Sequence, residues 1–177
     1  MSTASRAQAP SVQTVLGPVQ PSGIGFTLPH EHTAISLWQI PGRWDYWELT
    51  RDEPVIAAEL ARFRDAGGAA LVDLTLPGVG RDPAWLVRLA RATGLHIVMG
   101  CGWYRGAYYP IEALIDRRSV DSLADELVRE FEVGVGETGI RSGIIGEIGT
   151  DKPWLSAQEE RVHRAAARAA RRTGLAI

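Results

Sequence analysis

Short apolar runs alternate along this chain with longer segments in which apolar residues recur at helical spacing. Apolar runs of about four to eight residues between turn signals are typical of buried strands, and longer amphipathic segments are typical of helices. The predicted strands are residues 25–33, 69–74, 95–101 and 143–150, and residues 175–177 begin a fifth. The predicted helices are residues 54–66, 82–94, 121–131 and 156–174. The pattern therefore alternates strand and helix through most of the chain.

The ends of these helices carry recognisable signals. Asp82 followed by a proline is the favoured order of cap and first residue at a helix start, and Gly94 is a typical stop. Residues 156–159, Ser-Ala-Gln-Glu, have the form of a capping box. In the first helix, three residues are predicted to face the core: Val55, Leu60 and Phe63.

Strands that are apolar along their whole length and alternate with helices predict an α/β fold with a parallel sheet. A doubly wound sheet and a (β/α)8 barrel both produce this alternation. Polar residues collect near the C-terminal ends of the predicted strands, where barrel active sites are built. The first strand is not followed by the Gly-x-Gly-x-x-Gly motif of dinucleotide-binding sheets. These observations favour a TIM barrel, which typically takes ~250 residues or more, and the four predicted strand–helix units are about half of its eight.

One polar motif is suited to binding a metal ion. In His30-Glu31-His32, at the end of the first predicted strand, the two imidazoles are two residues apart and are predicted to face the same side. Glu147 lies inside the last apolar run, where an unpaired buried carboxylate would be costly. Two imidazoles and one carboxylate predict a divalent metal site, with Glu31 pointing to the opposite face. The pattern indicates a metal-dependent hydrolase.

Other polar and aromatic residues near strand ends have two interpretations each. Asp73 either hydrogen-bonds a ligand histidine and fixes its tautomer, or caps local backbone. Cys101 is interpreted as a small buried apolar residue rather than a nucleophile. Trp103 and Tyr104 follow the third strand and are candidates for substrate binding or for simple packing. The aromatic loops 43–45 and 103–109 favour an apolar or aromatic substrate.

Composition narrows the class of protein. Of the 177 residues, 45% are hydrophobic and 23% are charged, which is typical of a globular domain. The formal net charge of −2 offers no basic surface for nucleic acid, and no apolar run is long enough for a membrane span. The single cysteine fits a reducing compartment and predicts a cytoplasmic protein. Residues 1–13 are polar and predict a disordered leader without a secretory signal, ahead of one domain at residues 14–177.

Four segments together resemble the phosphotriesterase family of the amidohydrolase superfamily. They are residues 25–32 (GFTLPHEH), 72–82 (VDLTLPGVGRD), 92–104 (ATGLHIVMGCGWY) and 142–150 (SGIIGEIGT). They occur in the family's order, and the resemblance runs from about residue 12 to the end of the chain. It implies a (β/α)8 barrel of the metal-dependent hydrolase type, of which this chain holds the N-terminal half.

The resemblance also implies a chemistry. It implies two divalent metal ions, most often zinc, with His30 and His32 on one ion and Glu147 bridging both. In the family, phosphotriesterases proper and the related lactonases carry a carboxylated lysine at the bridge, so glutamate indicates the phosphotriesterase-related branch and argues against fast organophosphate hydrolysis. The implied reaction is attack of metal-bound hydroxide on an ester, lactone, amide or phosphoester bond of a small molecule.

The resemblance places the remaining ligands, two histidines and an aspartate, on later strands, so the sequence predicts an incomplete site in this chain. It predicts a truncated barrel with two open sheet edges, and such edges favour pairing with another chain. The alternative interpretation is an inactive half-barrel that forms a homodimer or acts as a metal-binding module.

Overall fold

The computed structural model of the protein describes residues 10–37 and 48–177. The strands of this part are β1 (Val12–Thr14), β2 (Gly17–Val19), β3 (Phe26–Glu31), β4 (Ile35–Ser36), β5 (Glu48–Leu49), β6 (Gly68–Asp73), β7 (His96–Cys101) and β8 (Ile144–Ile145). The α-helices are α1 (Glu53–Asp65), α2 (Pro83–Thr93), α3 (Val120–Glu132) and α4 (Ala157–Thr173). The predicted alternation of strand and helix is therefore confirmed.

The central sheet has the order β3-β6-β7-β8 within the described residues, with each pair of neighbours parallel. Neighbouring strands are also consecutive along the chain, apart from the short strands β4 and β5, so the sheet advances in one direction. This order is that of a barrel wall, because a doubly wound sheet reverses its direction at a switch point. The C-terminal ends of all four strands consequently meet along one edge of the sheet.

Two apolar clusters attach the helices to this sheet. One joins α2 to β6 and β7 through residues that include Leu71, Leu89 and Ile97, each 0% exposed. The other joins α3 and α4 to the end of β7 and to β8, with Leu123 and Val162 at its centre. The sheet and its helices are thus fixed by packing on both sides of β7, the strand between the two clusters.

The predicted helix ends are confirmed. The Asp82 side chain accepts a hydrogen bond of 3.0 Å from the Trp85 amide, and Gly94 ends α2 in the left-handed conformation at φ 74°. Ser156 and Glu159 form the predicted capping box at the start of α4. Local sequence therefore sets these boundaries, because the caps satisfy backbone groups that have no partner inside the helix.

The structure corrects two details of the predicted elements. The predicted strand 143–150 is reduced to β8, because the chain leaves the sheet after Ile145, and Gly146 adopts φ 145°. In α1, Val55 is 54% exposed rather than facing the core. Ile56, one residue later on the helix, packs against the apolar cluster in its place.

The N-terminal segment folds closer to the domain than predicted. Residues 1–9 of the predicted leader lie outside the described residues, as do residues 43–45 of the predicted aromatic loop. Gln13, however, belongs to β1, which pairs with β2 in an antiparallel hairpin. The Val15 amide then donates a hydrogen bond of 2.9 Å to the Ile97 carbonyl, so the hairpin packs against β7. The hairpin is held because its backbone groups and buried side chains find partners there.

The last residues of the chain lie beside β8. The structure assigns no strand to residues 175–177, although the Ile145 amide donates a hydrogen bond of 3.0 Å to the Ala176 carbonyl. No helix among the described residues is long and apolar enough to cross a membrane.

Candidate metal centre

Three predicted ligands converge at the C-terminal edge of the sheet. His30 lies in β3, His32 follows that strand, and Glu147 follows β8. The His30 Nε2 atom lies 3.5 Å from Glu147 Oε2, and the His32 Nε2 atom lies 3.6 Å from Glu147 Oε1. One ligand atom from each of the three residues lies within 4.8 Å of the others. The structure therefore brings together residues that are more than a hundred positions apart in the sequence.

The spacing of these atoms fits a bound metal ion better than direct hydrogen bonds. A good N–H···O hydrogen bond spans about 2.7–3.2 Å between heavy atoms, and both imidazole–carboxylate distances exceed that. Two ligand atoms about 2.1 Å from a tetrahedral ion lie roughly 3.4 Å apart, which is close to the observed separations. Imidazole nitrogen and carboxylate oxygen are also a donor set that zinc accepts. The three residues fit a divalent ion.

The candidate centre is open on one side. The His30 side chain is 53% exposed, whereas the side chains of His32 and Glu147 are 20% and 22% exposed. Catalytic metal sites keep a position free for water or substrate, and a half-exposed ligand leaves room for it. Among residues 10–37 and 48–177, this is the one group of three such ligands that the structure brings together.

A hydroxyl group contacts the inner nitrogen of His32. The His32 Nδ1 atom lies 3.1 Å from Thr75 Oγ1, and the same hydroxyl donates a hydrogen bond of 3.1 Å to the Ala34 carbonyl. Sequence reasoning did not identify Thr75. Its position two residues after Asp73, at the same strand end, is the signal that was available.

Asp73 contacts backbone and threonine groups rather than either histidine. The carboxylate is 1% exposed and accepts hydrogen bonds from the Thr33 amide (2.8 Å), the Thr33 hydroxyl (2.7 Å) and the Thr75 amide (2.9 Å). The Trp85 indole N–H also donates to the Thr33 hydroxyl, at 3.1 Å. Of the two interpretations of Asp73, the structure matches the one in which it holds local backbone.

The segment that carries Glu147 packs closely on β7. The Gly146 amide donates a hydrogen bond of 2.7 Å to the Cys101 carbonyl. Gly100 faces the carbonyl oxygen of Gly146, and a Cβ atom at position 100 would overlap that oxygen. Glu147 is therefore placed by a backbone contact that requires glycine on the neighbouring strand.

We expect Gly100→Ala to displace this segment and weaken the site. Overpacking of this kind costs about 1–3 kcal/mol of unfolding free energy. Because Glu147 directly follows the displaced residue, we also expect zinc affinity to fall by roughly 10–100-fold, the range seen when support around a ligand is lost. Urea unfolding and zinc titration measure the two effects. Gly23→Ala is the matched control, since nothing lies within 4 Å of a Cβ there. Unchanged zinc affinity in Gly100→Ala would contradict this account of how Glu147 is placed.

The two candidate substrate-binding residues lie in different environments. Trp103 is 2% exposed and belongs to the apolar cluster of α3 and α4, so in this structure it packs in the core. Tyr104 is partly exposed, and its ring stacks on that of Tyr108 with centroids 5.4 Å apart. The Tyr104 carbonyl accepts a hydrogen bond of 2.6 Å from the Gly149 amide. Tyr104 therefore lies against the loop that carries Glu147.

The single cysteine is a buried residue. Cys101 is 0% exposed, and burial raises the pKa of its thiol to about 12. A thiol with such a pKa is not a nucleophile near neutral pH, because the thiolate is the reactive form. The interpretation of Cys101 as a packing residue is confirmed.

Glu159 connects the loops around the site to α4, a role beyond the predicted capping box. Its carboxylate accepts hydrogen bonds from the backbone amides of Ser156 (3.0 Å), Asp151 (2.6 Å) and Gly106 (3.2 Å). Burial alone would raise its pKa, but the bonds from Ser156, Asp151 and Gly106 outweigh that effect and lower the pKa to about 2. One buried carboxylate thus fixes the loop after β7 and the loop after β8.

We expect this carboxylate to make the protein sensitive to acid. A depressed pKa in the folded state contributes stability that is present above the ordinary value of 4.5 and is lost as the pH falls toward 2. Glu159→Gln should lower the unfolding free energy at pH 7 by about 1–3 kcal/mol, because its amide N–H group opposes the donors. It should also flatten the pH dependence in that window, as measured by urea unfolding at several pH values.

The control for this experiment is Glu160→Gln, on the next residue of the same helix. Glu160 is 49% exposed and pairs with Arg164 across one helical turn. Exposed pairs of this type contribute little, so the control should keep the wild-type pH dependence. An acid response that is the same in the Glu159 variant and the wild type would show that another group is responsible.

The sequence and the fold of this chain were compared with those of known proteins. The sequence profile of the phosphotriesterase family matches residues 10–177. The chain belongs to the phosphotriesterase family. The family predicted from the four motifs is therefore confirmed.

Individual relatives agree with the profile. Human N-acetyltaurine hydrolase is 37% identical over a match that covers 94% of this chain and 55% of the human protein. A resiniferatoxin-binding protein from Rhodobacter sphaeroides superposes with a TM-score of 0.84 at 34% identity, covering 93% of this chain and 53% of that one. A lactonase from Listeria monocytogenes superposes with a TM-score of 0.81 at 25% identity, covering 94% and 55%.

The chain spans about half the length of these phosphotriesterase-family relatives. The predicted fold, a TIM barrel of which this chain holds about the first half, is confirmed by these likenesses and by the sheet order. Two of the three relatives are named for hydrolysis, one for N-acetyltaurine and one for lactones.

Proposed function

We propose that this chain supplies the first ligand set of a metal-dependent hydrolase that cleaves a small acylated molecule. The observation that carries the proposal is the convergence of His30, His32 and Glu147 at separations of 3.5 and 3.6 Å. Three ligands from two strands at the C-terminal edge of a parallel sheet match the place where barrel enzymes build their active sites.

Each residue has a defined role in this proposal. His30 and His32 each present an Nε2 atom to the same ion, and Glu147 offers one oxygen toward each histidine. A carboxylate has two oxygens, so Glu147 also suits a bridge between two ions. Two divalent ions, zinc above others because of the donor set, would polarise the substrate carbonyl and lower the pKa of a water molecule. The exposed side of His30 leaves space for the substrate.

The substrate class we favour is an amide. The relative at 37% identity is named for N-acetyltaurine, whose acyl group is held in an amide bond, whereas the lactonase is 25% identical. Lactones and esters are the second choice, since the same carbonyl chemistry serves them. A glutamate at position 147, where phosphotriesterases proper carry a carboxylated lysine, makes phosphotriesters the least favoured substrates. The lone buried Cys101 supports a reducing compartment such as the cytoplasm.

Metal analysis combined with a substrate panel tests the proposal. The protein is purified with the later strands that carry the remaining two histidines and the aspartate, and is dialysed against zinc-free buffer. Its metal content is measured, and it is then assayed with N-acetyltaurine, a lactone, an aryl ester and a phosphotriester. We expect bound zinc, fastest turnover of the amide, and loss of turnover on chelation that zinc restores. Failure to bind zinc, or turnover that is unaffected by chelation, would overturn the metal-dependent mechanism. Preference for the lactone would instead revise the substrate class.

A further inference from the structure

We propose that Thr75 is a positioning residue that fixes the tautomer of His32. In this arrangement His32 carries its proton on Nδ1, and the lone pair of Nε2 faces Glu147. The inference rests on the proposed metal centre, because only a metal-binding histidine requires that lone pair. It assigns a task to a residue that lies outside the ligand set and is not expected to touch substrate.

The one hydrogen of the Thr75 hydroxyl determines which nitrogen of His32 carries the proton. A threonine hydroxyl has one hydrogen to donate and lone pairs to accept with. Thr75 Oγ1 lies 3.1 Å from the Ala34 carbonyl oxygen, which can only accept, so the hydrogen points there. Toward His32 Nδ1, also 3.1 Å away, the hydroxyl can then only accept. His32 Nδ1 must therefore carry the proton, and in the neutral ring Nε2 is left without one.

The opposite tautomer would break this network. If Thr75 donated its hydrogen to His32 Nδ1, the Ala34 carbonyl would lose its bond to Thr75 in a segment where Ala34 is 5% exposed. An unpaired buried carbonyl costs about 1–3 kcal/mol. A proton on Nε2 would point toward Glu147 at 3.6 Å, a distance too long for a good hydrogen bond, so little is gained there in exchange. The bond from Thr75 to Ala34 therefore decides in favour of the tautomer with the proton on Nδ1.

Asp73 makes the arrangement rigid. Its buried carboxylate holds the amide of Thr75 and both donors of Thr33, the residue that follows His32. The Asp73 side chain therefore fixes the backbone of Thr33, which follows the ligand His32, and the backbone of Thr75, which contacts that ligand. Trp85 completes the network from α2 through its bond to Thr33. Preorganised support of this kind is how surrounding residues orient a metal ligand.

The two histidines consequently differ. His30 is 53% exposed, and within residues 10–37 and 48–177 its ring makes no hydrogen bond comparable to that of His32. His32 is the ligand whose geometry is set before the metal arrives. Loss of Thr75 should therefore lower metal affinity through His32.

Zinc titration of threonine variants tests the proposal. Thr75→Val keeps the side-chain shape but removes the hydroxyl, and we expect zinc affinity to fall by roughly 10–100-fold. Thr75→Ser keeps the hydroxyl and should restore most of the affinity. Thr93→Val is the matched control, because Thr93 is also buried at 2% and donates its hydroxyl to the Leu89 carbonyl, within α2. Equal affinities for Thr75→Val and wild type would overturn the proposal.

A second measurement observes the tautomer in the wild type without zinc and uses a variant only to assign the signals. The ring nitrogens of 15N-labelled histidine distinguish the two neutral tautomers by NMR, and the His32 signals are identified by their absence in His32→Gln. In the metal-free wild type, the neutral ring of His32 should carry its proton on Nδ1. A proton on Nε2 would overturn the role of Thr75. If the wild type fails to bind zinc, the proposed function fails, while the NMR result still decides the tautomer.

Discussion

In the barrel with the later-strand ligands present, replacing His32 with alanine is expected to abolish tight zinc binding. The side chain supplies one of three converging ligand atoms and is the histidine held in place by a neighbouring hydroxyl. Loss of an outer partner of a ligand already costs about 10–100-fold in affinity, so loss of the ligand itself should exceed that range. Zinc content after dialysis and competitive zinc titration measure the effect. Hydrolysis in the substrate panel should fall in parallel.

His96→Ala is the control for this variant. His96 begins β7 at the N-terminal end of the strand, away from the edge at which the candidate metal centre lies. The His96→Ala variant loses a histidine side chain that is not a proposed ligand, so its zinc content and turnover should stay at the wild-type level. Wild-type zinc affinity in His32→Ala would refute the assignment of His32, whereas equal losses in both variants would point to a general effect on folding.

The elements of the fold were predictable because their signals are local. The capping box at Ser156 and the glycine stop at Gly94 satisfy backbone groups within one helical turn, so a few adjacent letters determine them. The strands β6 and β7 are predictable from their composition, because a strand that is covered on both faces of the sheet consists almost entirely of apolar residues. The barrel type depended on the resemblance to a family, because the alternation of strand and helix is shared by two architectures.

What the sequence missed depends on contacts between distant segments. The predicted strand 143–150 is reduced to β8, and the Gly146 carbonyl that follows it lies against Gly100, a contact that no local pattern encodes. Val55 is predicted to face the core, but it is 54% exposed, and the partly buried Ile56 packs against the apolar cluster instead. In each case the residue type was compatible with both arrangements, and tertiary packing decided between them.

In the candidate metal centre, some residues are predictable from the sequence and others are identified only by their contacts in the structure. His30, His32 and Glu147 were identified from the sequence because their residue types and the family motifs single them out. Thr75 was not, since a threonine near a strand end is common and its contact with His32 spans 43 positions. Asp73 was left with two interpretations, and only its three hydrogen bonds to Thr33 and Thr75 distinguish them.

In the barrel with the later-strand ligands present, Glu147→Gln is expected to lower the number of zinc ions bound. The change keeps the side-chain size but removes the negative charge and replaces one oxygen with an NH2 group, which cannot bind a metal. If Glu147 bridges two ions, the second ion should be lost first, and turnover should fall by more than the roughly 10–100-fold expected for outer residues. Glu137→Gln is the control, because Glu137 is 98% exposed and pairs only loosely with Arg129 at 3.4 Å. Unchanged stoichiometry in Glu147→Gln would refute the bridging role.

Glu147→Lys gives the sharper result, because it tests what the position does rather than whether it matters. A lysine there has no negative charge of its own, so metal binding should be lost in buffer depleted of carbon dioxide. With bicarbonate present, carboxylation of the amine would restore a bridging carboxylate on a longer side chain. We then expect zinc stoichiometry to return and the substrate preference to shift toward phosphotriesters, relative to the wild type. Zinc binding that returns with bicarbonate in Glu147→Lys but not in Glu147→Gln would establish that position 147 requires a carboxylate between two ions. Equal behaviour of the two variants with and without bicarbonate would remove that requirement.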